Sequence, residues 1–585
     1  MKLSSLLKRL WIHVSPRRRK QLGLLLLLII ITSFTDVVAI GAVLPFLAVL
    51  ASPETVFVHD LAQPMITLLG ITHANHLILP LTLAFITAAV VAGILRITLL
   101  WAQTRLGFAI GADLSYEIYR RTLYQPYMVH VARNSSDIVA AITTKANQVV
   151  GGAINPVIIL VSSVFTIIII LATLFAINPI IALSGMIGFS AIYGAIVLIT
   201  KKQLLNNSQQ VNSGANKVVK IVQEGLGGIR DILIDGTQSS YCKSYRAVDV
   251  PMRRAQANSH VISQIPRYGI EALTMALVAV IAYRMVDSSG GLVEALPILG
   301  AFALGVQRIL PTLQLAYANY STMRASQAIL NDAVLLFEQE VSDVYENVLA
   351  APLPFNDSIT FRNLHFRYEA NSSWVLNDIN IDILKGQRVG FVGTTGSGKS
   401  TILDIVMGLL QPSKGTMVVD DNVIDEKNFR SWQVHIAHVP QTIFLVDASI
   451  SENIAFGIAP NEIDYELVRK AASQAQIAET IESWELQYDT VVGERGVRLS
   501  GGQRQRIGIA RALYKQADVL VFDEATSALD NETENSVMEA ITSMDSKITV
   551  LMVAHRLTTL RNCDQIIEID KGKVKRIGSY DEIVG

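Results

Sequence analysis

Residues 149–200 contain no charged side chain, and this one stretch restricts the chain more than any other feature. A helix in water exposes a polar face, whereas about 20 consecutive apolar residues cross a bilayer, and this run is over twice that length. Asn178-Pro179 stands in its middle. Proline disfavours helix at the residue before it, so the run divides into two spans joined by a short turn. Residues 21–50 carry only Asp36 and residues 77–102 only Arg96, which supplies two further spans. Residues 262–286 and 292–323 supply another pair, separated by the turn-rich Asp287-Ser-Ser-Gly-Gly291. The pattern predicts six transmembrane helices.

Orientation follows from the basic residues. Lys2, Lys8, Arg9, Arg17, Arg18, Arg19 and Lys20 precede the first span, while loops 51–76, 177–180 and 287–291 hold no Lys or Arg. Positive charge is retained on the cytoplasmic side, so the amino terminus is expected inside. A cleaved signal peptide is the alternative for residues 1–50, but the apolar run is too long and no A-x-A-like site ends it. Residues 103–148 and 201–261 have helix-like compositions with scattered charges. A helix from Leu77 to about Tyr124 would be roughly 70 Å long, more than twice the bilayer core, and such a rod can carry movement out of the membrane.

Composition excludes whole classes. Hydrophobic residues make up 51% and charged residues 17%, against about 25% charged in soluble domains, which argues against disorder and against a wholly soluble enzyme. With 49 basic and 50 acidic residues the net charge is -1, so no nucleic-acid partner is indicated. Cys242 and Cys563 lie far apart and outside any metal-ligand spacing, which suits a reducing cytosol.

The character of the chain changes over residues 340–355, where Pro352 and Pro354 punctuate a linker, and strand-like and helix-like segments then alternate. A strand over 387–392 runs into Gly393, Thr394, Thr395, Gly396, Ser397, Gly398, Lys399, Ser400 and Thr401, and a helix-like stretch over 402–410 follows. This is the P-loop in its strand-loop-helix context. Its glycines let backbone N–H groups converge on phosphate oxygens at a helix N-terminus, Lys399 neutralises β/γ charge, and Ser400 can ligate Mg²⁺. Further on, Val519-Leu-Val-Phe522 ends in Asp523-Glu524, two carboxylates at the C-terminal edge of a buried strand. Asp523 fits a role toward Mg²⁺ behind its direct ligands or through water, and Glu524 fits the general base toward the attacking water; a surface acidic pair is the other reading.

Between these motifs stands Leu499-Ser-Gly-Gly-Gln503, continued by Arg504-Gln505-Arg506, and on it the sequence resembles an ABC transporter. The resemblance runs over nearly the whole chain. It implies a half-transporter of the exporter architecture: an α-helical transmembrane domain of six helices fused to an α/β P-loop nucleotide-binding domain. Boundaries on this reading are a cytoplasmic elbow at 1–20, the transmembrane domain with long intracellular helices at 21–335, a linker at 336–356 and the nucleotide-binding domain at 357–585. By similarity the protein is a multi-pass ATPase of the plasma (inner) membrane, with its amino terminus and nucleotide-binding domain cytoplasmic, and takes ATP and Mg²⁺. The resemblance further implies a homodimer, in which the P-loop of one subunit and Ser500, Gly501, Gly502 and Gln503 of its partner enclose ATP. Tyr368 stands where the adenine-stacking aromatic belongs, Gln441 is the Q-loop glutamine and a metal-site residue, Asp530 closes the D-loop Ser527-Ala-Leu-Asp530, and His555 is the switch histidine. Taken singly, Tyr368 also reads as a strand aromatic, Gln441 as a loop polar group and His555 as a core histidine. Glu524 and residues 499–503 are intact, which favours two hydrolytic sites. Thr490-Val-Val-Gly-Glu-Arg-Gly496 resembles the exporter segment that contacts the intracellular helices.

Intramembrane charges cost about 2.5–3.5 kcal/mol on insertion and so face a cavity or a partner, which singles out Asp36, Arg96, Arg267, Glu271 and Arg308. Arg267 and Glu271, four apart on a helix, could simply pair. Two copies of Arg96, Arg267 and Arg308 would form a basic belt suited to bidentate phosphate binding. Ser33-Phe34 with Asp36, Pro45-Phe46, Ile265-Pro-Arg-Tyr268 with Glu271, and Gln307-Arg308-Ile-Leu-Pro311 resemble the membrane motifs of the bacterial lipid-linked oligosaccharide flippase branch. In that branch the matching arginines meet the pyrophosphate of the lipid carrier, and an external helix lies between the first two spans, here at 61–69 or else an ordinary amphipathic loop. The resemblance implies ATP-driven export or flipping of a polyprenyl-pyrophosphate-linked oligosaccharide or similar amphiphilic lipid, with helices near 124–137 and 235–245 transmitting nucleotide-driven closure. An exporter of a processed peptide or small molecule and an ATP-gated channel or regulator are the alternatives.

Overall fold

The computed structural model describes the chain except residues 1, 42–45, 47–48, 51–52, 59–62, 64–65, 68–69, 135–137, 140–141, 143–144, 178, 287–308, 342–350, 370, 525–533, 535, 538, 540–547, 554–556 and 585. Arg308, His555, the D-loop 527–530, the turn 287–291 and much of the external-helix segment 61–69 therefore lie outside the described residues. The chain forms two compact units: Met1–Leu123 with Arg133–Glu340, and Tyr124–Ala132 with Val341–Gly585.

The first unit is helical. Helix α1 (Leu3–Ile12) buries Leu3, Leu6 and Leu10, three or four apart and so on one face, and leaves Trp11 and Ile12 exposed. Helix α2 (Pro16–Gly41) starts on a proline, whose missing N–H costs nothing at the first helical position. Helix α3 (Ile78–Leu123) has 46 residues, which at about 1.5 Å per residue makes a rod of roughly 69 Å. Its first half exposes Leu79, Leu83, Ile86, Val90, Ile94 and Ile97 at helical spacing, an apolar stripe suited to lipid. Its second half instead buries Leu106, Ile110, Leu114 and Ile118. Helices α4 (Asn155–Ile177), α5 (Pro179–Gly227) and α6 (Gln238–Val286) follow. Residues 309–325 are helical, and α7 (Gln327–Phe337) closes the unit. Among the described residues, helix thus covers 21–41, 78–102, 155–177, 179–200, 262–286 and 309–323 of the stretches read as spans. Among the described residues, Ala74–Leu123 and Asn147–Thr173 are long and apolar enough to cross a membrane.

Polar contacts tie this bundle together. Arg18 binds Asp113 with two N–H donors, at 2.8 and 3.2 Å, pinning the start of α2 to α3. Ser33 and Thr166 share a hydrogen bond of 3.0 Å between α2 and α4. Lys145, 7% exposed, binds Asp332 at 2.9 Å, and Asn212 donates to the same carboxylate oxygen. Arg9 pairs with Glu338, joining α1 to the end of α7.

The second unit is α/β. Strands β1 (Ser358–Phe366), β2 (Leu376–Leu384), β4 (Lys414–Val419) and β5 (Asn422–Val423) form an antiparallel sheet in the order β2-β1-β4-β5, whose members flank β3 (Arg388–Val392) in sequence. β3 belongs to a second sheet with β6 (Ile436–Val439), β7 (Val519–Asp523), β8 (Thr549–Val553), β9 (Gln565–Asp570) and β10 (Lys573–Gly578), in the order β10-β9-β3-β8-β7-β6. All its pairings are parallel except β10 with β9. Strands β7 and β8 are almost wholly buried, which explains why they read as continuous apolar runs without alternation. Helix α8 (Lys399–Val406) packs Ile402, Leu403 and Val406 into the core between the sheets, where Trp432 donates its indole N–H to the Val406 carbonyl at 2.6 Å. Helices α9 (Tyr465–Gln474) and α10 (Gly501–Tyr514) pack into a second core with Leu520, Phe522 and Met552.

Candidate nucleotide site

The P-loop, Gln441, Asp523 and Glu524 converge on one edge of the parallel sheet. The loop 393–398 leaves the C-terminal end of β3, Glu524 follows the end of β7, and Gln441 lies two residues past the end of β6. Strand β8 sits between β3 and β7, so carboxylates and P-loop face each other across one strand's width. Ligands of open parallel sheets bind in this position.

Sterics fix the glycines at two points. A Cβ on Gly393, whose φ is 151°, would lie 2.1 Å from the Ile569 carbonyl oxygen, and one on Gly398, φ 105°, would lie 2.6 Å from the Leu376 side chain. Gly572 N–H donates to the Ser397 carbonyl at 3.1 Å, anchoring the loop to the β9–β10 turn. Lys399 is 8% exposed and folds over the loop, its ammonium donating to the Gly393 and Thr394 carbonyls at 2.9 and 3.1 Å. Ser397 is buried and its hydroxyl finds no partner among the described residues. A buried hydroxyl left over beside a cationic lysine at a helix N-terminus is what a phosphate oxygen would satisfy. Thr394, Thr395, Gly396 and Ser400 are exposed, whereas Thr401 is buried and shares a 3.4 Å contact with the Tyr368 hydroxyl. The Tyr368 ring is itself 41% exposed and packs edge-on to Phe366, so one face remains open to a planar base.

The acidic side of the site is electrostatically strained. Ser400 donates to Asp523 at 3.4 Å, and Gln441 donates its amide N–H to Glu524. Burial, then Glu524, pushes the Asp523 carboxyl above the usual carboxylate range, although Lys399 opposes the shift. Asp404 on α8 is pushed up to about 6, by burial first and by Asp523 second. Glu524 has φ 53°, a conformation side chains rarely adopt, and its N–H donates to the Val553 carbonyl at 2.9 Å. Asp523 and Asp404 both resist ionisation, and Asp523, with the Ser400 hydroxyl beside it, fits a hard divalent cation that takes its remaining ligands from phosphate and water.

Ser500 and Gln503 are not hydrogen-bonded to the 393–401 loop among the described residues. They cap α10 instead: the Ser500 hydroxyl accepts from Gln503 N–H at 3.2 Å, while the Gln503 side chain accepts from Ser500 N–H at 2.9 Å. This box leaves Gly501 exposed and Gly502 half-buried at the helix N-terminus. Sequence motifs miss two residues. Asp404 sits one helical turn beyond Ser400, a position that carries no motif. Arg511 donates to the Asn453 and Phe444 carbonyls at 2.9 and 3.0 Å and stacks over Phe456 at 4.5 Å, and burial lowers its pKa to about 10. Arg511 thereby locks α10 to the chain that follows Gln441.

In the helical unit Arg96 is half-buried. Arg267 is exposed and lies over the Tyr268 ring at 5.8 Å; among the described residues it forms no ion pair with Glu271, so the pairing allowed by their spacing is not made. Ile66 is buried against Val49 and Leu77, and the side chain of Asp36 lies outside what is described.

Comparison with known proteins agrees with this layout. The family model described as ABC transporter matches residues 376–527, and that described as ABC transporter transmembrane region matches residues 22–307. An ATP-dependent lipid A-core flippase of Chromohalobacter salexigens is 30% identical over 478 residues, 80% of this chain and 80% of that protein. One from Shewanella denitrificans is 29% identical over 592 aligned positions, covering 100% of this chain and 96% of the relative. A solved structure of a bacterial Atm1-family ABC exporter with ATP bound superposes with a TM-score of 0.78 at 23% identity, covering 97% of this chain and 96% of the other.

Proposed function

The chain belongs to the ABC transporter family, as an ATPase coupled to transmembrane transport, and on that premise we propose that it flips a phosphate-bearing glycolipid across the inner membrane as a homodimer. The observation that carries this reading is the end-to-end similarity to lipid A-core flippases, which spans the helical unit as well as the ATPase. Lipid A-core and polyprenyl-pyrophosphate-linked oligosaccharide share one chemistry: an apolar anchor, anionic phosphate and a saccharide head. Arg96, Arg267 and Arg308, doubled in a dimer, are the side chains assigned to the phosphate, since guanidinium binds it bidentately.

At the ATPase site, loop amides and Lys399 hold the β and γ phosphates, and Tyr368 stacks on adenine. Ser400, Gln441 and Asp523 would hold Mg²⁺, which supplies charge neutralisation of the phosphates. Glu524 takes the proton of the attacking water, and its hydrogen bond from Gln441 fixes the carboxylate's direction. His555 is assigned to the γ-phosphate, and Ser500–Gln503 of the second subunit close the site. The capping box prepares that role by holding the Ser500 hydroxyl and the α10 N-terminus as one rigid anion-facing surface.

The test is ATP hydrolysis in proteoliposomes titrated with polyprenyl-pyrophosphate oligosaccharide or with lipid A-core, in wild type, Arg96→Ala and Arg308→Ala. Stimulation lost in the arginine variants, with basal hydrolysis intact, is expected. Equal stimulation by an uncharged lipid of the same chain length would refute the phosphate assignment.

A further inference from the structure

Outside the nucleotide site, the first unit carries a groove of ≈ 440 Å³ between the start of α2 and the middle of α3, lined by Arg18, Gln21, Leu24, Leu28, Trp101 and Arg105. Its position coincides with a change of character in both helices. The charge-free run of α2 begins at Gln21, just after four basic residues, and the apolar run of α3 ends at Ala102, just before Arg105. Each helix therefore brings one arginine and apolar side chains to the groove, and the Arg18–Asp113 ion pair holds α2 against α3 there. Arg18 is satisfied by Asp113 and by Gln21, at 3.0 Å. Arg105 has no carboxylate partner among the described residues; it lies over the Trp101 ring at 5.8 Å. Trp101 is 62% exposed and Leu24 68% exposed, so both offer apolar surface on the outside of the bundle. Arg19, next to the groove, turns back to donate to the Trp11 and Ile12 carbonyls at 3.0 and 2.9 Å and lies over the Trp11 ring. Trp is enriched at membrane–water interfaces, and Trp11 and Trp101 each lie against an arginine here.

We infer that this groove is a binding site for a resident anionic phospholipid of the cytoplasmic leaflet, with its phosphate on Arg105 beside Arg18 and its acyl chains along Leu24, Leu28 and the Trp101 face. Charge complementarity selects the occupant. The uncompensated guanidinium points to an anion, and the exposed Leu24 and Trp101 with the half-buried Leu28 point to an anion that carries hydrocarbon. A lipid there bridges α2 and α3 where α1 joins them, and so reinforces the junction held by Arg18–Asp113. The site is separate from the arginines assigned to transported substrate and does not depend on that assignment.

The experiment is native mass spectrometry of the purified full-length protein titrated with phosphatidylglycerol or phosphatidylcholine. Wild type is compared with Arg105→Ala, Arg105→Lys and, as a control elsewhere in the unit, Arg253→Ala. The expected result is about tenfold weaker phosphatidylglycerol binding at the tightest site in Arg105→Ala, the scale of one lost charge-assisted contact. Arg105→Lys should recover part of it, Arg253→Ala should match wild type, and phosphatidylcholine binding should not change. Basal ATP hydrolysis in detergent, unchanged in Arg105→Ala, shows that the variant is folded. Equal binding of both lipids by wild type, equal losses for both in Arg105→Ala, or displacement of the lipid by soluble glycerol 3-phosphate would each overturn the proposal.

Discussion

Asp404 offers a quantitative check on the electrostatics of the nucleotide site. Its carboxyl is held at about 6 by burial and then by Asp523, against about 3.9 in an unfolded chain. The folded state therefore keeps this proton more tightly than the unfolded state. Its contribution to stability is fully present below the unfolded pKa and is lost as pH rises through about 6. The gap between the folded and unfolded values corresponds to at most about 3 kcal/mol, and halving this for the partly solvated carboxyl leaves about 1.5 kcal/mol. Asp404→Asn should raise stability at pH 7.5 by that amount, an apparent Tm gain of about 3–6 °C for a unit of this size. The gain should shrink as pH is lowered towards 5, where wild-type Asp404 is already protonated. The assay is thermal unfolding of the purified protein followed by tryptophan fluorescence, because Trp432 is fully buried and bonded to the carbonyl of Val406 on the same helix as Asp404. Adding ATP with Mg²⁺ should erase the gain, since a divalent cation beside Asp523 favours the charged form. A variant that is less stable than wild type, or more stable by the same margin at pH 5 and 7.5, would contradict the reasoning.

Three further outcomes follow from the same geometry. Glu524→Gln should retain ATP binding and lose steady-state turnover by at least about a hundredfold, as expected for removal of a general base; normal phosphate release by the pure variant would reject the assignment. Gly393→Ala places its Cβ 2.1 Å from the Ile569 carbonyl oxygen, a backbone atom that cannot yield, so nucleotide binding measured by fluorescent ATP analogue should vanish and the Tm should fall. Ser500→Ala should cost about 1 kcal/mol of cap energy and abolish hydrolysis, whereas Ser500→Asp should keep the cap and still fail to hydrolyse. Hydrolysis retained in Ser500→Asp but reduced in Ser500→Ala would mean that Ser500 acts only as a cap.

The sequence and the structure inform each other unevenly. Long apolar runs and the strand-loop-helix around Lys399 are legible because periodicity and steric demand are local: Gly393 and Gly398 have no alternative residue at their backbone angles. The proline at 179 likewise marks where α4 ends and α5 begins. Asp404 and Arg511 are not legible, because their character comes from neighbours over fifty positions away in the chain, Asp523 for one and Asn453 and Phe444 for the other. The grouping of Tyr124–Ala132 with the α/β unit is also invisible to a linear reading, since Met128 packs on a core built from residues beyond 350. Spacing misleads at Arg267 and Glu271, where four residues permit a pair but the guanidinium chooses the Tyr268 ring.

The most direct test of the central claim is a flipping measurement. Proteoliposomes are prepared with a fluorescent, phosphate-bearing glycolipid, and its accessibility to an impermeant quencher is followed after adding ATP with Mg²⁺. The expected result is ATP-dependent protection in wild type, none in Glu524→Gln, and a strongly reduced rate in Arg96→Ala at unchanged basal hydrolysis. Hydrolysis that proceeds at full rate with no movement of the lipid in wild type would contradict the assignment of this chain as a glycolipid flippase.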